Sequence, residues 1–243
     1  MGILLTIFTT CAPFEGDRAR VQQEAISSWF NMKPIPEILI MGSHEEGVKE
    51  FAEDKNIAVL DVEYNELDAP LLNSIFSVAQ QHAHNDVLCF SDSDLSFYGL
   101  MEAVEILKNS EFREWVAVGQ RYEDDVLDSP SAISFCIFPK SVDWGHMPPF
   151  AIGGTNSDTW TAANTLKRGI PLVNITEDVR VVHFPHSKKY KKSSRNEELS
   201  RRNRILAKND SYGSDVATYY LIQGMIIPCI LYFRYKIFEA KKC

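Results

Sequence analysis

LCFSDSDLSF, residues 88–97, poses the question on which the fold turns. The run from Val87 to Phe90 is apolar. It stops at two carboxylates, Asp92 and Asp94, with Ser93 between them. Two anions held together repel, and one pKa rises unless a cation sits between them. Residues i and i+2 of an extended segment point to one side, so both carboxylates can face a single point. Hard oxygen ligands suit Mn²⁺ or Mg²⁺. A metal held by few protein groups keeps positions open for phosphate oxygens. The plainer reading is a solvated turn or a helix N-cap, where Asp and Ser are both common.

The surroundings favour a strand end. ILLTIFTT (3–10), EILIM (37–41), AVLDV (58–62) and DVLCF (86–90) are short apolar runs. Between them lie the helical patterns DRARVQQEAISSWF, EEGVKEFAEDK and PLLNSIFSVAQQHAH. Short buried strands separated by amphipathic helices predict βαβ units and a parallel sheet. Ligands of such sheets bind beyond the carboxyl ends of the strands, where Asp92 and Asp94 fall on the fourth. Later the pattern changes. WVAVGQ (115–120) and AISFCIFP (132–139) read as strands without a full helix between them, and WGHMPPFAIGGTNSDTW (144–160) reads as irregular. The expected class is α/β, a Rossmann-like parallel sheet followed by a mixed C-terminal part.

Composition sets outer limits. The chain has 243 residues, 45% apolar and 24% charged, which is ordinary for a globular protein. Five cysteines without a C-x-x-C pair fit a reducing compartment, not a disulfide scaffold. MGILLTIFTT lacks a charged n-region and reads as a first strand; its Gly2 and Thr6 also match a loose myristoylation pattern. A net charge of −8 argues against nucleic-acid binding. Residues 188–204 hold eight Lys/Arg against two Glu, a local +6 on an otherwise acidic body. Residues 219–233, YYLIQGMIIPCILYF, are apolar but too short to span a bilayer. They are expected to pack on the domain or lead to a further one, with a peripheral membrane contact as the second reading.

Several pieces in this order resemble a known family. They are FTTCAPFEG (8–16), Gln23, Ala25-Ile26 and Ser28-Trp29, then NELDAPLLNSIF (65–76), CFSDSDL (89–95) and VGQRYEDDV (118–126). FAIGGTNSDTW (150–160) and VVHFPHSKKY (181–190) complete the set. From about Ile3 to Tyr220 the chain resembles small GT-A-fold glycosyltransferases, including those of large algal viruses (chloroviruses) and bacterial relatives. The resemblance implies one catalytic domain over 1–215, with a nucleotide-binding half at about 1–97 and an acceptor half at about 98–215. Residues 216–243 form the apolar C-terminal segment. It implies a UDP-sugar donor, Mn²⁺ or Mg²⁺, a glycan or glycoprotein acceptor, and transfer of a hexosyl or deoxyhexosyl group with a leaning toward retention. It implies a cytoplasmic setting, that of an infected cell for the viral members.

The same resemblance distributes roles. Asp94 is the firmer metal ligand and Asp92 assists. His183 approaches the metal or diphosphate from the far side, although a histidine ending an apolar run also reads as a satisfied core residue. Thr9 and Thr10 line the nucleotide pocket; Arg121, Lys188 and Lys189 face the donor. Gly154 and Trp160 belong to the acceptor side, where Ser157 and Thr159 depart from the family's usual residues. Asp158 is the general base of an inverting enzyme or a sugar-orienting group in a retaining one; a loop Asp capping its own backbone is the plainer reading. Trp144 and Trp160 offer sugar platforms or core packing. In 187–204, Asn196 reads as the cap of a helix whose charges suit its dipole, and the four lysines 188, 189, 191 and 192 read as a donor-closing segment or a solvated loop.

The sequence speaks against two rivals and leaves a third open. A haloacid-dehalogenase-type phosphatase would carry its acidic pair on the first strand, which here ends in Thr9-Thr10-Cys11. A sugar-nucleotide nucleotidyltransferase would show a glycine-rich, basic loop after that strand, where FTTCAPFEGDRAR has one glycine. The third is a catalytically silent nucleotide- or glycan-binding module.

Overall fold

The computed structural model describes residues 5–185, 193–208, 210, 212–232 and 236. The chain opens with β1 (Leu5–Thr9), α1 (Gly16–Trp29), β2 (Glu37–Met41), α2 (Val48–Lys55), β3 (Ala58–Leu60), α3 (Leu72–His82) and β4 (Val87–Ser91). β1 pairs in parallel with β2 and β4, and β2 in parallel with β3. All five residues of β1 are buried, as a strand covered on both faces requires. The inward stripe of α1 is Val21, Gln22, Ala25, Ile26 and Trp29. Trp29 Nε1 donates to the carbonyl of Leu95 (2.9 Å) and ties this helix to the chain beyond the two carboxylates.

The second half is mixed. It comprises β5 (Leu95–Tyr98), α4 (Leu100–Lys108), β6 (Val116–Val118), β7 (Arg121–Glu123), β8 (Val126–Leu127), β9 (Phe135–Pro139) and α5 (Ser157–Lys167). There follow β10 (Leu172–Asn174), β11 (Arg180–His183), α6 (Ser194–Ala207), β12 (Tyr219–Ile222) and β13 (Met225–Pro228). The main sheet has the order β13-β12-β10-β6-β9-β4-β1-β2-β3, and a smaller sheet the order β5-β11-β7-β8. β9 runs antiparallel between β4 and β6, which joins the parallel front to the rest.

Two details differ from the sequence reading. The stretch 144–160 ends in a helix: α5 begins at Ser157, so Asp158 stands in its first turn instead of in a loop. The cap of α6 is Ser193, whose side chain accepts from Asn196 N–H (3.1 Å), so Asn196 lies inside the helix and does not begin it. The apolar run 219–233 supplies β12 and β13, which extend the main sheet through β10. Among the described residues no helix is long and apolar enough to cross a membrane. Lys188, Lys189, Lys191 and Lys192, and with them His186 and Gly2, lie outside the described residues.

Candidate active site

Sheet register brings the polar residues together. β4 and β9 pair from Val87↔Pro139 to Ser91↔Phe135. The ladder runs one step further, with Asp92 N–H donating to the Ser134 carbonyl (3.0 Å). Ser93 and Asp94 then form a turn, where the sequence suggested an extended segment. The turn moves the chain from the main sheet into β5 of the smaller one. There Leu95 pairs with His183 across the antiparallel β5–β11 ladder, and Phe184 N–H donates to the Asp94 carbonyl (2.9 Å). Residues far apart in sequence therefore meet: His183 Nε2 lies 3.3 Å from Asp94 Oδ2, the imidazole 10% and the carboxylate 20% exposed.

Asp92 turns toward a cavity of about 450 Å³. Its wall includes Arg121 from β7, Ser134 before β9, and the Gly153–Asp158 segment leading into α5. Burial and the nearby Asp94 charge raise the Asp92 carboxyl, against the pull of Arg121 and a hydrogen bond from Ser134, to about 7. The Arg121 guanidinium is held from two sides, donating to Ser134 Oγ (2.5 Å) and to Asp128 Oδ2 (3.3 Å). Asp158 accepts from Thr159 N–H (2.9 Å), and burial pushes its carboxyl up to about 6 despite Arg121. One cation thus serves two carboxylates that would otherwise be harder to ionise.

The loop before α5 is shaped by α6. Asn203, fully buried, accepts from Ala151 N–H (2.9 Å) and donates to Ala151 carbonyl (3.0 Å). A Cβ on Gly154 would lie 2.8 Å from the Leu199 carbonyl carbon and 2.6 Å from Asn203 Nδ2, so glycine lets this loop touch the helix. Gly153 and Asn156 take left-handed φ values of +90° and +77° to turn the chain into α5. Arg195, Arg201 and Arg202 of α6 are used locally, Arg201 on Glu198. Arg202 binds Glu66 and Glu198, and Arg195 donates to the carbonyls of Leu67 (2.9 Å) and Asp68 (2.7 Å).

Not every expected residue reaches the cavity. Trp160 is 6% exposed and packs edge-on against Phe150, and Trp144 packs against Phe76 and Phe138; both occupy the core. Thr9 is buried at the end of β1 with its hydroxyl donating to Thr10 carbonyl (3.2 Å). Neither Thr9 nor Thr10 is on the cavity wall, but β1 adjoins β4, so both stand beside the acidic turn.

Sequence reading passed over Ser134, Asp128 and Gln22. Gln22 is 3% exposed, whereas Gln23, part of the quoted pattern, is exposed. A polar residue on the apolar stripe Val21, Ala25, Ile26 was the available signal, because buried amides are hydrogen-bonded. Asp128 and Ser134 carry no such signal; only the strand pairing brings them to Arg121.

The donor chemistry suits a divalent ion. Asp94 in the turn before β5 and His183 at the end of β11 are hard and borderline ligands, with Asp92 two residues before Asp94. Among the described residues no group of three or more His, Cys, Asp or Glu is arranged to hold a metal. A pair of protein ligands matches an ion that shares its coordination with a diphosphate.

No protein-family model matches the chain, and no curated protein matches it by sequence. Solved structures do match. A mannosyltransferase from Pyrobaculum calidifontis, in complex with GDP-Man and Mn²⁺, is similar at 16% identity with a TM-score of 0.53. That match covers 76% of this chain and 58% of the mannosyltransferase, so the chain spans little more than half its length. Glucosyl-3-phosphoglycerate synthase from Mycobacterium tuberculosis, with Mn²⁺, UDP and glucosyl-3-phosphoglycerate, is similar at 13% identity and a TM-score of 0.54. There the match covers 86% of this chain and 80% of the synthase. The synthase with phosphoglyceric acid matches over 96% of this chain and 92% of its own, at 12% identity and a TM-score of 0.53. The fold is that of GT-A nucleotide-diphospho-sugar transferases, as the motif order implied.

Proposed function

We propose that this chain is a metal-dependent glycosyltransferase that moves a sugar from a UDP-sugar to a hydroxyl of a glycan or glycoprotein. The observation that carries this reading is the acidic turn at the carboxyl end of β4. It offers Asp94 to His183 on one side and Asp92 to the Arg121–Asp158 cavity on the other. Asp94 and His183, with Asp92 assisting, would hold Mn²⁺ or Mg²⁺, which when bound would supply positive charge to offset that of a diphosphate leaving group. Thr9, Thr10 and the loop after β1 line the nucleotide side. Arg121, fixed by Asp128 and Ser134, faces the donor.

Asp158 serves the transfer step. A carboxyl raised to about 6 is suited to taking a proton from an acceptor hydroxyl near neutral pH. Under retention the same group orients the sugar. Lys188 and Lys189, which follow β11 in sequence and lie outside the described residues, are assigned to donor binding by their charge alone. Of the similar folds, the mannosyltransferase was solved with GDP-Man and Mn²⁺, and the synthase with UDP and Mn²⁺.

The test is release of free nucleoside diphosphate from a panel of UDP- and GDP-sugars, with and without Mn²⁺. Mn²⁺-dependent UDP release supports the reading. A chain that binds nucleotide but releases none with any donor is a binding module.

A further inference from the structure

We infer that Gln22 is a positioning residue that locks the loop after β1 to the acidic turn, so that the nucleotide side and the metal side of the site move as one unit. The inference rests on the glycosyltransferase reading above and adds a coupling between its two halves. Gln22 sits on the buried stripe of α1, among Val21, Ala25, Ile26 and Trp29. Burying an amide there is costly unless all its groups are paired. They are paired with two separate loops. Oε1 accepts from Ala12 N–H (2.7 Å) and from Ser93 Oγ (2.9 Å), while Nε2 donates to Ala12 carbonyl (3.0 Å).

Ala12 lies in the segment between β1 and α1; Ser93 lies between the two carboxylates. One side chain thus ties both backbone groups of a residue in the nucleotide loop to the middle of the acidic turn. α1 itself is anchored just past that turn by Trp29 Nε1 on the Leu95 carbonyl. The acidic turn is therefore gripped from one helix at Ser93 and Leu95, and the nucleotide loop from the same helix at Ala12. A ligand that orders either loop reduces the freedom of the other. Coupling of this kind is reciprocal: Mn²⁺ tightens UDP by the same factor that UDP tightens Mn²⁺.

Two variants separate this role from ordinary packing. Gln22→Met keeps the volume and removes all three bonds. Ser93→Ala removes only the bond between Gln22 and the turn, leaving both Gln22–Ala12 bonds in place. Amide hydrogen exchange on the ligand-free chain is the first readout. The expected result is faster exchange at Ala12 in Ser93→Ala, although Ser93 does not touch Ala12, and faster exchange in both loops in Gln22→Met. Calorimetry is the second readout: UDP with and without Mn²⁺, and Mn²⁺ with and without UDP. The coupling factor is expected to fall by about fivefold or more in both variants, the lower end of common site-to-site couplings. A variant that unfolds is caught by its melting curve, and Ser93→Ala then carries the test alone. Unchanged Ala12 exchange in Ser93→Ala, or an unchanged coupling factor, overturns the inference. If the parent chain binds neither UDP nor Mn²⁺, the glycosyltransferase reading fails first and takes the coupling role with it.

Discussion

Replacing Asp158 by Asn should make the protein more stable and less active, and both effects follow from one buried carboxyl. In the folded chain its pKa is raised from an ordinary 3.8 to about 6, chiefly by burial. A difference of that size corresponds to ~3 kcal/mol between the protonation states. The folded pKa is the higher one. Between about pH 4 and pH 6 the unfolded chain has lost this proton while the folded chain keeps it, so stability falls as pH rises. The penalty is fully present above about pH 6 and absent below about pH 4. The amide introduced by Asp158→Asn cannot ionise, and its side-chain oxygen can still accept from Thr159 N–H. Because the carboxyl borders an open cavity, ~3 kcal/mol is an upper bound.

For a chain of this size that bound corresponds to roughly 6–12 °C in melting temperature at pH 8. Melting curves of parent and Asp158→Asn at pH 4 and pH 8 measure it. They should coincide at pH 4 and separate at pH 8, with the variant higher. Turnover should fall, by about 10²–10⁴-fold for a lost general base, while UDP affinity stays nearly unchanged. A variant whose stability relative to the parent is the same at both pH values would refute the reasoning about burial. Equal turnover would return Asp158 to a backbone-capping role.

His183→Gln should raise the Mn²⁺ concentration needed for half-maximal UDP binding by roughly tenfold or more, read by titration; an unchanged requirement would make His183 a core residue. Gly154→Ala would place a Cβ 2.8 Å from the Leu199 carbonyl carbon. It should cost about 1–3 kcal/mol in denaturant unfolding through overpacking, and an unaltered midpoint would mean the loop yields freely. Replacing lysines 188, 189, 191 and 192 together by Gln should lower donor hydrolysis in detergent-free solution with no membrane present. Unchanged kinetics would leave them to a solvated loop or a surface contact.

The parallel front of the sheet was legible because its strands are short apolar runs spaced by amphipathic helices. LTIFT, EILIM and VLCFS are buried nearly throughout, and such continuous apolar runs stand out against the helical periodicity of the segments between them. Asp92 and Asp94 stand out in the sequence because charge ends one of those runs. The turn at Ser93 and Asp94 was not, since it depends on β5 leaving for a second sheet. The α5 start at Ser157 was hidden by glycines and prolines that signal irregular chain, and by a left-handed Asn156 that no sequence pattern announces. His183 was legible only through a family likeness; its meeting with Asp94 is set by the β5–β11 register. Trp160 illustrates the reverse limit. An aromatic beside a glycine-rich loop suggests a sugar platform, but the apolar side of α5 has the stronger claim on it.

The central claim is that Asp94 binds nucleotide through a metal. Isothermal titration of UDP into the parent and into Asp94→Ala, each with and without Mn²⁺, tests it most directly. Mn²⁺ should tighten UDP binding to the parent by about tenfold or more, equivalent to about 1.4 kcal/mol. In Asp94→Ala that gain should vanish while the melting curve still shows a folded protein. Equal Mn²⁺-dependent UDP affinity in the two proteins would contradict the account.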